Sequence, residues 1–208
     1  MNDNITLTDT TNETERTKLV YPTVSQMDDA SVEEKVNQLI QTSNQLGPQQ
    51  YSDTANLEGT VEVTFLDGET LSLVYRWTLT NPEENTGYPT TYLHSLVIDL
   101  KTGEQKHFND YASVYNVFYQ LKYGLYQIVA DSSESDTTAR VAVQNLLRNG
   151  TVSADKLATA DYPLSEAFPP SLFGYVTQDK IGLLIPASDN IGGSIRLEFD
   201  RKDVAKTE

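Results

Sequence analysis

Along the middle of the chain the apolar positions recur with a period of two. Val61, Val63 and Phe65 alternate with Thr60, Glu62 and Thr64, and Leu71, Leu73, Tyr75, Trp77 and Leu79 alternate with mostly polar residues. That is the period of a strand with one face buried, and Asp67-Gly68 between the two runs is a tight-turn signal, so residues 57–79 predict an antiparallel pair with one dry face.

Elsewhere the period lengthens. Ser31 and Glu34 have capping-box spacing, and Val32, Val36, Leu39 and Ile40 share one helical face before Gly47-Pro48. Asp110 or Ser113 can cap a second helix carrying Val114, Val117, Phe118, Leu121, Leu125 and Ile128, and Ala139, Val143, Leu146 and Leu147 suggest a third, stopped by Gly150. Further strands are expected at Leu19–Pro22, around Leu96, Ile98 and Leu100 with a turn at Lys101-Thr102-Gly103, at Leu172–Ile185 broken at Gln178-Asp179, and at Ser194–Asp200. Residues 151–170 read as irregular.

This order lacks the repeated strand-helix alternation of a doubly wound sheet. It predicts an α+β fold, an antiparallel sheet with two to three helices packed on one face. Residues 1–18, rich in Thr, Asn and Asp and without hydrophobic periodicity, read as a disordered tail or tether, and 19–204 as a single α+β domain.

Composition then narrows the chemistry. The chain has 208 residues, 38% of them hydrophobic, and no cysteine, so thiolate metal sites, iron–sulfur clusters and cysteine nucleophiles are excluded. A formal charge of −15 disfavours nucleic acid and anionic lipid and favours cationic partners. No run approaches the roughly 20 apolar residues of a membrane span, and the first residues do not read as a signal peptide. The protein is therefore expected to be cytosolic or to have lost a leader or N-terminal anchor, with no membrane insertion by this segment.

Few motifs propose a reaction. Asp131, Ser133 and Ser135 imitate the start of an EF-hand loop, but Asp136 stands where the glycine should be and Ala142 where the glutamate should be, so the segment reads as a polar loop. His94 and His107 belong to no metal-binding motif, and one of them is expected to pack beside the sheet. Asp28-Asp29, Glu33-Glu34 and Glu83-Glu84 are adjacent in sequence, an arrangement suited to helix termini and loop tips rather than to the two sides of a scissile bond. Phosphate-binding glycine loops and G-x-S-x-G are absent. No catalytic residue, metal ligand or cofactor is assigned.

Aromatic usage is more suggestive. Twelve tyrosines stand against six phenylalanines, and tyrosine supplies contact area with a polar tip. Tyr115, Tyr119, Tyr123 and Tyr126 recur at helical spacing. They are read first as part of a broad amphipathic helix lying on the sheet, with an exposed ligand-contacting face as the alternative.

Several strings resemble one family. Tyr21-Pro22 before a helix, the strand LSLVYRWTLT, Ile98-Asp99-Leu100-Lys101-Thr102-Gly103-Glu104 followed by Asn109-Asp110-Tyr111, and Lys180-Ile181-Gly182-Leu183-Leu184-Ile185-Pro186 look like the extracytoplasmic domain of RsiV-type anti-sigma factors. That domain is also similar to the non-catalytic region of PdaC-type peptidoglycan deacetylases. The resemblance covers roughly residues 19–204 and implies an exported cell-envelope module, membrane-tethered or attached to a wall enzyme. In the anti-sigma factors this domain binds lysozyme.

Thr86-Gly87-Tyr88-Pro89 stands where the family carries a Gly-Gly-Ala-His loop. Pro186 matches a lysozyme-contacting proline, while Ala187-Ser188 replace the aromatic beside it. The expected function is a non-enzymatic binding or sensing module of the bacterial cell envelope, with a cationic protein such as lysozyme, or cell-wall glycan, as ligand. The expected contacts are Gly87, Tyr88, Pro89, Tyr92 and Pro186, provided that the sheet brings these loops to one end. A cell-wall glycan hydrolase using a carboxylate pair and a purely structural envelope domain are the alternatives.

Overall fold

A computed structural model describes residues 5–45, 56–80, 90–129, 136–162, 171–187 and 193–206. Part of the expected tail is a strand. β1 (Thr6–Glu13) pairs antiparallel with β2 (Thr17–Ser25) without a break in register. Threonine is β-branched and suits a pleated strand even where the hydrophobic pattern is weak. Thr10 and Thr23 join their hydroxyls across the pair at 2.6 Å, and Leu7 packs against the core.

The chain forms two compact units, residues 1–105 and 106–208, where the sequence reading has one domain over 19–204. Each has its own core, and the class is α+β.

In the first unit, α1 (Ala30–Asn44) follows β2 and leads to β3 (Asn56–Leu66), β4 (Thr70–Thr80), β5 (Thr90–Asp99) and the short β6 (Glu104–Lys106). The sheet order is β1-β2-β3-β4-β5-β6. It is mixed rather than antiparallel, because a helix between β2 and β3 lets those two strands run the same way, Leu19 beside Gly59. The expected hairpin at Asp67-Gly68 is present, with a register shift between Val63 and Phe65.

Asp29, not Ser31, caps α1, its carboxylate accepting from the N–H groups of Ser31 and Val32. Glu33, not Glu34, reaches back to the Met27 N–H, at 3.0 Å. The helix buries Val36 and Ile40 in a core shared with Leu71, Leu73, Tyr75 and Trp77. Glycine at 59 is required by packing: a β-carbon there would lie 2.2 Å from the Trp77 ring on the neighbouring strand.

The second unit runs α2 (Phe108–Tyr111), α3 (Val114–Tyr123), β7 (Gln127–Val129), α4 (Asp136–Arg148), α5 (Ala154–Ala158), β8 (Phe173–Val176), β9 (Lys180–Pro186), β10 (Ser194–Asp200) and α6 (Arg201–Val204). Its sheet is antiparallel in the order β7-β10-β9-β8. Ile181, Leu183, Ile185, Ile195, Leu197 and Phe199 meet Val117 and Leu121 of α3 and Val143 of α4 in one core.

Two expectations change here. α3 is shorter than its apolar spacing suggests, because Gly124 turns left-handed (φ 69°) and ends it, so Leu125 lies outside the helix and Ile128 on β7. The stretch expected to be irregular contains α5, capped by the Ser153 hydroxyl on the Lys156 N–H. Asp161 is left-handed too (φ 69°), a conformation that costs a non-glycine residue energy and needs compensation from its contacts.

Candidate functional site

α3 positions the most distinctive surface. Ser113 caps it and Gly124 closes it. Val117 and Leu121 point into the core, with Val114 and Phe118 packed beside them. At about 100° per residue, Tyr115, Tyr119 and Tyr123 then fall on the opposite side. They are 76%, 49% and 63% exposed, so these three lie in solvent rather than against the sheet, while Tyr126, beyond the helix, is buried. The Tyr119 and Tyr123 rings touch, with centroids 4.5 Å apart. Leu125, 55% exposed, extends the apolar surface past the helix end.

Beside the C-terminal end of α3 lies a hollow of about 350 Å³. Gln120, Gly124, Leu125, Tyr126 and Gln127 form one wall, and Lys180, Glu198, Asp200 and Asp203 the other. Arg140 of α4 holds the first wall in shape, donating to the carbonyls of Gly124 and Tyr126 at 3.3 and 3.2 Å, with its guanidinium over the Tyr126 ring.

The second wall rests on a buried network. Arg196 donates through Nε to the Tyr175 hydroxyl at 2.7 Å, and that hydroxyl donates to Glu198 at 2.8 Å. Tyr175 lies flat on β9: a β-carbon at Gly182 would sit 1.9 Å from its ring. Burial drives the Tyr175 hydroxyl far above its usual pKa, so it stays protonated and keeps donating. Lys180 and Asp200 form an ion pair in which the hydrogen bond to Lys180 lowers the Asp200 pKa. The result is an exposed aromatic helix face and, at the C-terminal end of that helix, a hollow whose lining holds three carboxylates, of which Asp200 is paired with Lys180 and Glu198 accepts from Tyr175.

A different cluster is closed to solvent. The Asp161 carboxylate accepts from the Gly174 N–H at 2.8 Å and from the Phe108 N–H, while the Asp161 N–H donates to Leu172 C=O at 2.9 Å. Asp161 thus ties α2 to the start of β8. Its Oδ2, the Tyr111 hydroxyl and Asn109 Oδ1 are buried without a hydrogen-bond partner among the described residues. Burial raises the Asp161 pKa to about 8, with the Asp110 charge adding to the effect and the two N–H groups opposing it.

The expected contact residues are not gathered at the tyrosine face. Gly87, Tyr88 and Pro89 lie outside the described residues. Tyr92 is on β5, opposite Trp77 and half-buried against the first core. Pro186 is exposed at the end of β9, opposite Ser194. Tyr92 and Pro186 belong to different units.

The EF-hand-like segment lies outside the described residues except for Asp136, which opens α4 and pairs with Arg140 at 3.0 Å. Among the described residues no group of three or more His, Asp or Glu could hold a metal ion. His94 packs within the first sheet. Trp77 Nε1 donates to its Nδ1 at 2.9 Å, so the proton sits on Nε2, which faces the Ser43 carbonyl at 3.1 Å. His107 precedes α2 and stacks on Tyr162, with centroids 3.5 Å apart.

Residues 198, 200 and 203 of the hollow belong to no motif, and Lys180 only to the string Lys180–Pro186. The alternation of Ile195, Leu197 and Phe199 with charged residues placed Arg196, Glu198 and Asp200 together on the other face of β10, but not their partners.

Fold and site together define an α+β protein presenting an aromatic helix face beside an acidic hollow. No family model and no curated protein matches the chain. Among solved structures it is similar to a DUF3298 family protein from Pseudomonas aeruginosa PAO1, at 10% identity over 97% of this chain and 94% of that one, with a TM-score of 0.46. It is also similar to a member of the DUF3298 family from Bacteroides fragilis, at 7% identity over 98% and 93%, with a TM-score of 0.46.

Proposed function

We propose that this protein is a non-enzymatic, extracytoplasmic binding module of a bacterial cell envelope, and that it contacts a cationic protein of the lysozyme type through α3 and the adjoining hollow. The observation that carries this reading is the exposure of Tyr115, Tyr119 and Tyr123 on one face of α3. Exposed aromatic residues in a contiguous patch are characteristic of binding surfaces, and tyrosine is enriched at interfaces. The carboxylates of Glu198, Asp200 and Asp203 beside that face favour a basic side chain as the anchor. A glycan hydrolase would need a carboxyl raised in pKa opposite a second; Asp200 is held the other way, lowered by its hydrogen bond to Lys180.

Calorimetric titration with lysozyme at low and moderate salt tests the reading. Binding should weaken with salt and should fall at least about tenfold when Tyr115 and Tyr119 are both replaced by Ser, as befits aromatic hot spots. Tyr88→Ala and Pro186→Ala probe the surface expected from the family resemblance. No binding at low salt, or binding that only the latter variants reduce, defeats the assignment to α3.

A further inference from the structure

Among the described residues the two sheets end on four strands. β6 and β7 have three residues each and β8 has four, but β1 has eight. Short strands, prolines, lysines and bulges are the usual means of keeping a sheet edge from pairing with another chain. β1 has none of them: its sequence is TLTDTTNE, its register with β2 is unbroken, and only Leu7 and Thr10 are less than fully exposed.

The direction of its backbone groups follows from the hairpin. Thr14 N–H donates to Thr17 C=O at 2.8 Å, so this is a hydrogen-bonded pair. By the alternation of an antiparallel ladder, Asn12, Thr10 and Thr8 also bond to β2, while Leu7, Asp9, Thr11 and Glu13 turn their N–H and C=O groups outward. Pro22, opposite Asp9, fits this phase because it has no N–H and stands where β1 needs none.

Charge selects the occupant. Residues 1–105 carry 17 Asp and Glu against five Lys and Arg, whereas residues 106–208 carry 13 against ten. On β1, Asp9 and Glu13 project on one side, four residues apart. A second copy of the chain would set like charges together, and an uncharged strand would leave Asp9, opposite Pro22, without a cation beside it, whereas Glu13 already has Lys18 opposite it on β2.

We propose that the outer edge of β1 takes up an extended cationic segment of another protein as an added strand, with Lys or Arg at two positions four residues apart facing Asp9 and Glu13. Main-chain hydrogen bonds supply affinity and the paired charges supply selectivity, as in other strand-addition complexes. β1 and α3 belong to different units, so the test of one does not depend on the role proposed for the other.

The probe is a capped octapeptide of Val and Thr with Lys at its second and sixth positions, accompanied by a version with Glu at those positions and a version N-methylated on alternate residues. Amide exchange by NMR should slow at Asp9, Thr11 and Glu13 when the Lys peptide is added, and neither control peptide should produce this. Thr11→Pro removes an outward N–H while sparing the ladder to β2, and should weaken binding at least about tenfold with unfolding, followed by Trp77 fluorescence, unchanged.

If that variant unfolds, Asp9→Asn combined with Glu13→Gln leaves the backbone intact and should weaken binding about fivefold, the effect of two exposed ion pairs. Lysozyme binding through α3 should persist in both variants. Equal binding of the N-methylated peptide, protection confined to other amides, or a dimer of this chain that strengthens with salt would each overturn the proposal.

Discussion

Asp161→Asn should stabilise the second unit, and the gain should depend on pH. The wild-type carboxyl is buried and bridges the Gly174 and Phe108 N–H groups, with Oδ2 unpartnered among the described residues. Its pKa is about 8 in the folded protein against 3.8 without the fold. Because the folded value is the higher, the unfolded chain loses this proton first. The stability associated with Asp161 is complete below pH 3.8 and is lost as the pH rises towards 8.

At about 1.4 kcal/mol per unit, the wild type forfeits roughly 4 kcal/mol by pH 7. Asparagine keeps an oxygen for the two N–H groups and has no proton to lose. The variant and wild type should therefore be almost equally stable at pH 3.5 and diverge up to pH 8, with the variant ahead by several kcal/mol. The single tryptophan, Trp77, lies in the first unit and is a poor reporter here. Urea unfolding followed by tyrosine near-ultraviolet dichroism, with amide exchange at Gly174, reads the second unit. Parallel stability curves for the two proteins between pH 4 and 8 would refute the argument.

The first unit should respond in the opposite direction. Burial lowers the His94 pKa from 6.5 to about 3, so the stability it contributes is present above pH 6.5 and is lost as the pH falls towards 3, by roughly 4 kcal/mol; acid unfolding monitored by Trp77 fluorescence should show this loss, and His94→Gln should flatten it. Gly59→Ala drives a methyl group into the Trp77 ring and Gly182→Ala one into Tyr175; each should cost about 1–3 kcal/mol in urea unfolding, with the Trp77 emission shifting only for the former. Tyr119→Ser, at an exposed position, should alter thermal stability by no more than about 0.5 kcal/mol even where it weakens lysozyme binding.

The strands of the first sheet were legible wherever a single buried face imposed a period of two, as at Leu71, Leu73, Tyr75 and Trp77. β1 was not, because its alternation is of threonine with other polar residues and the apolar pattern that marks a strand is nearly absent. α3 is shorter than its spacing suggests, for a related reason. Leu125 and Ile128 continue the helical spacing, but a left-handed Gly124 stops the helix, and local backbone conformation prevails over a hydrophobic period carried past it. The caps show the same limit: Ser31 and Glu34 have the right spacing, yet Asp29 and Glu33, one or two residues earlier, make the bonds.

The sequence by itself determined the α+β class, most strands and the three principal helices, because burial of one face writes itself into local spacing. It also determined the acidic charge and its concentration in the first half of the chain. Only the tertiary structure decided which side of α3 its tyrosines occupy, which charged residues of β9, β10 and α6 meet at the hollow, and that Asp161 is shut in between α2 and β8. Those outcomes depend on contacts between residues distant in sequence, where solvent exclusion and a neighbour's dipole, not local periodicity, set exposure and charge.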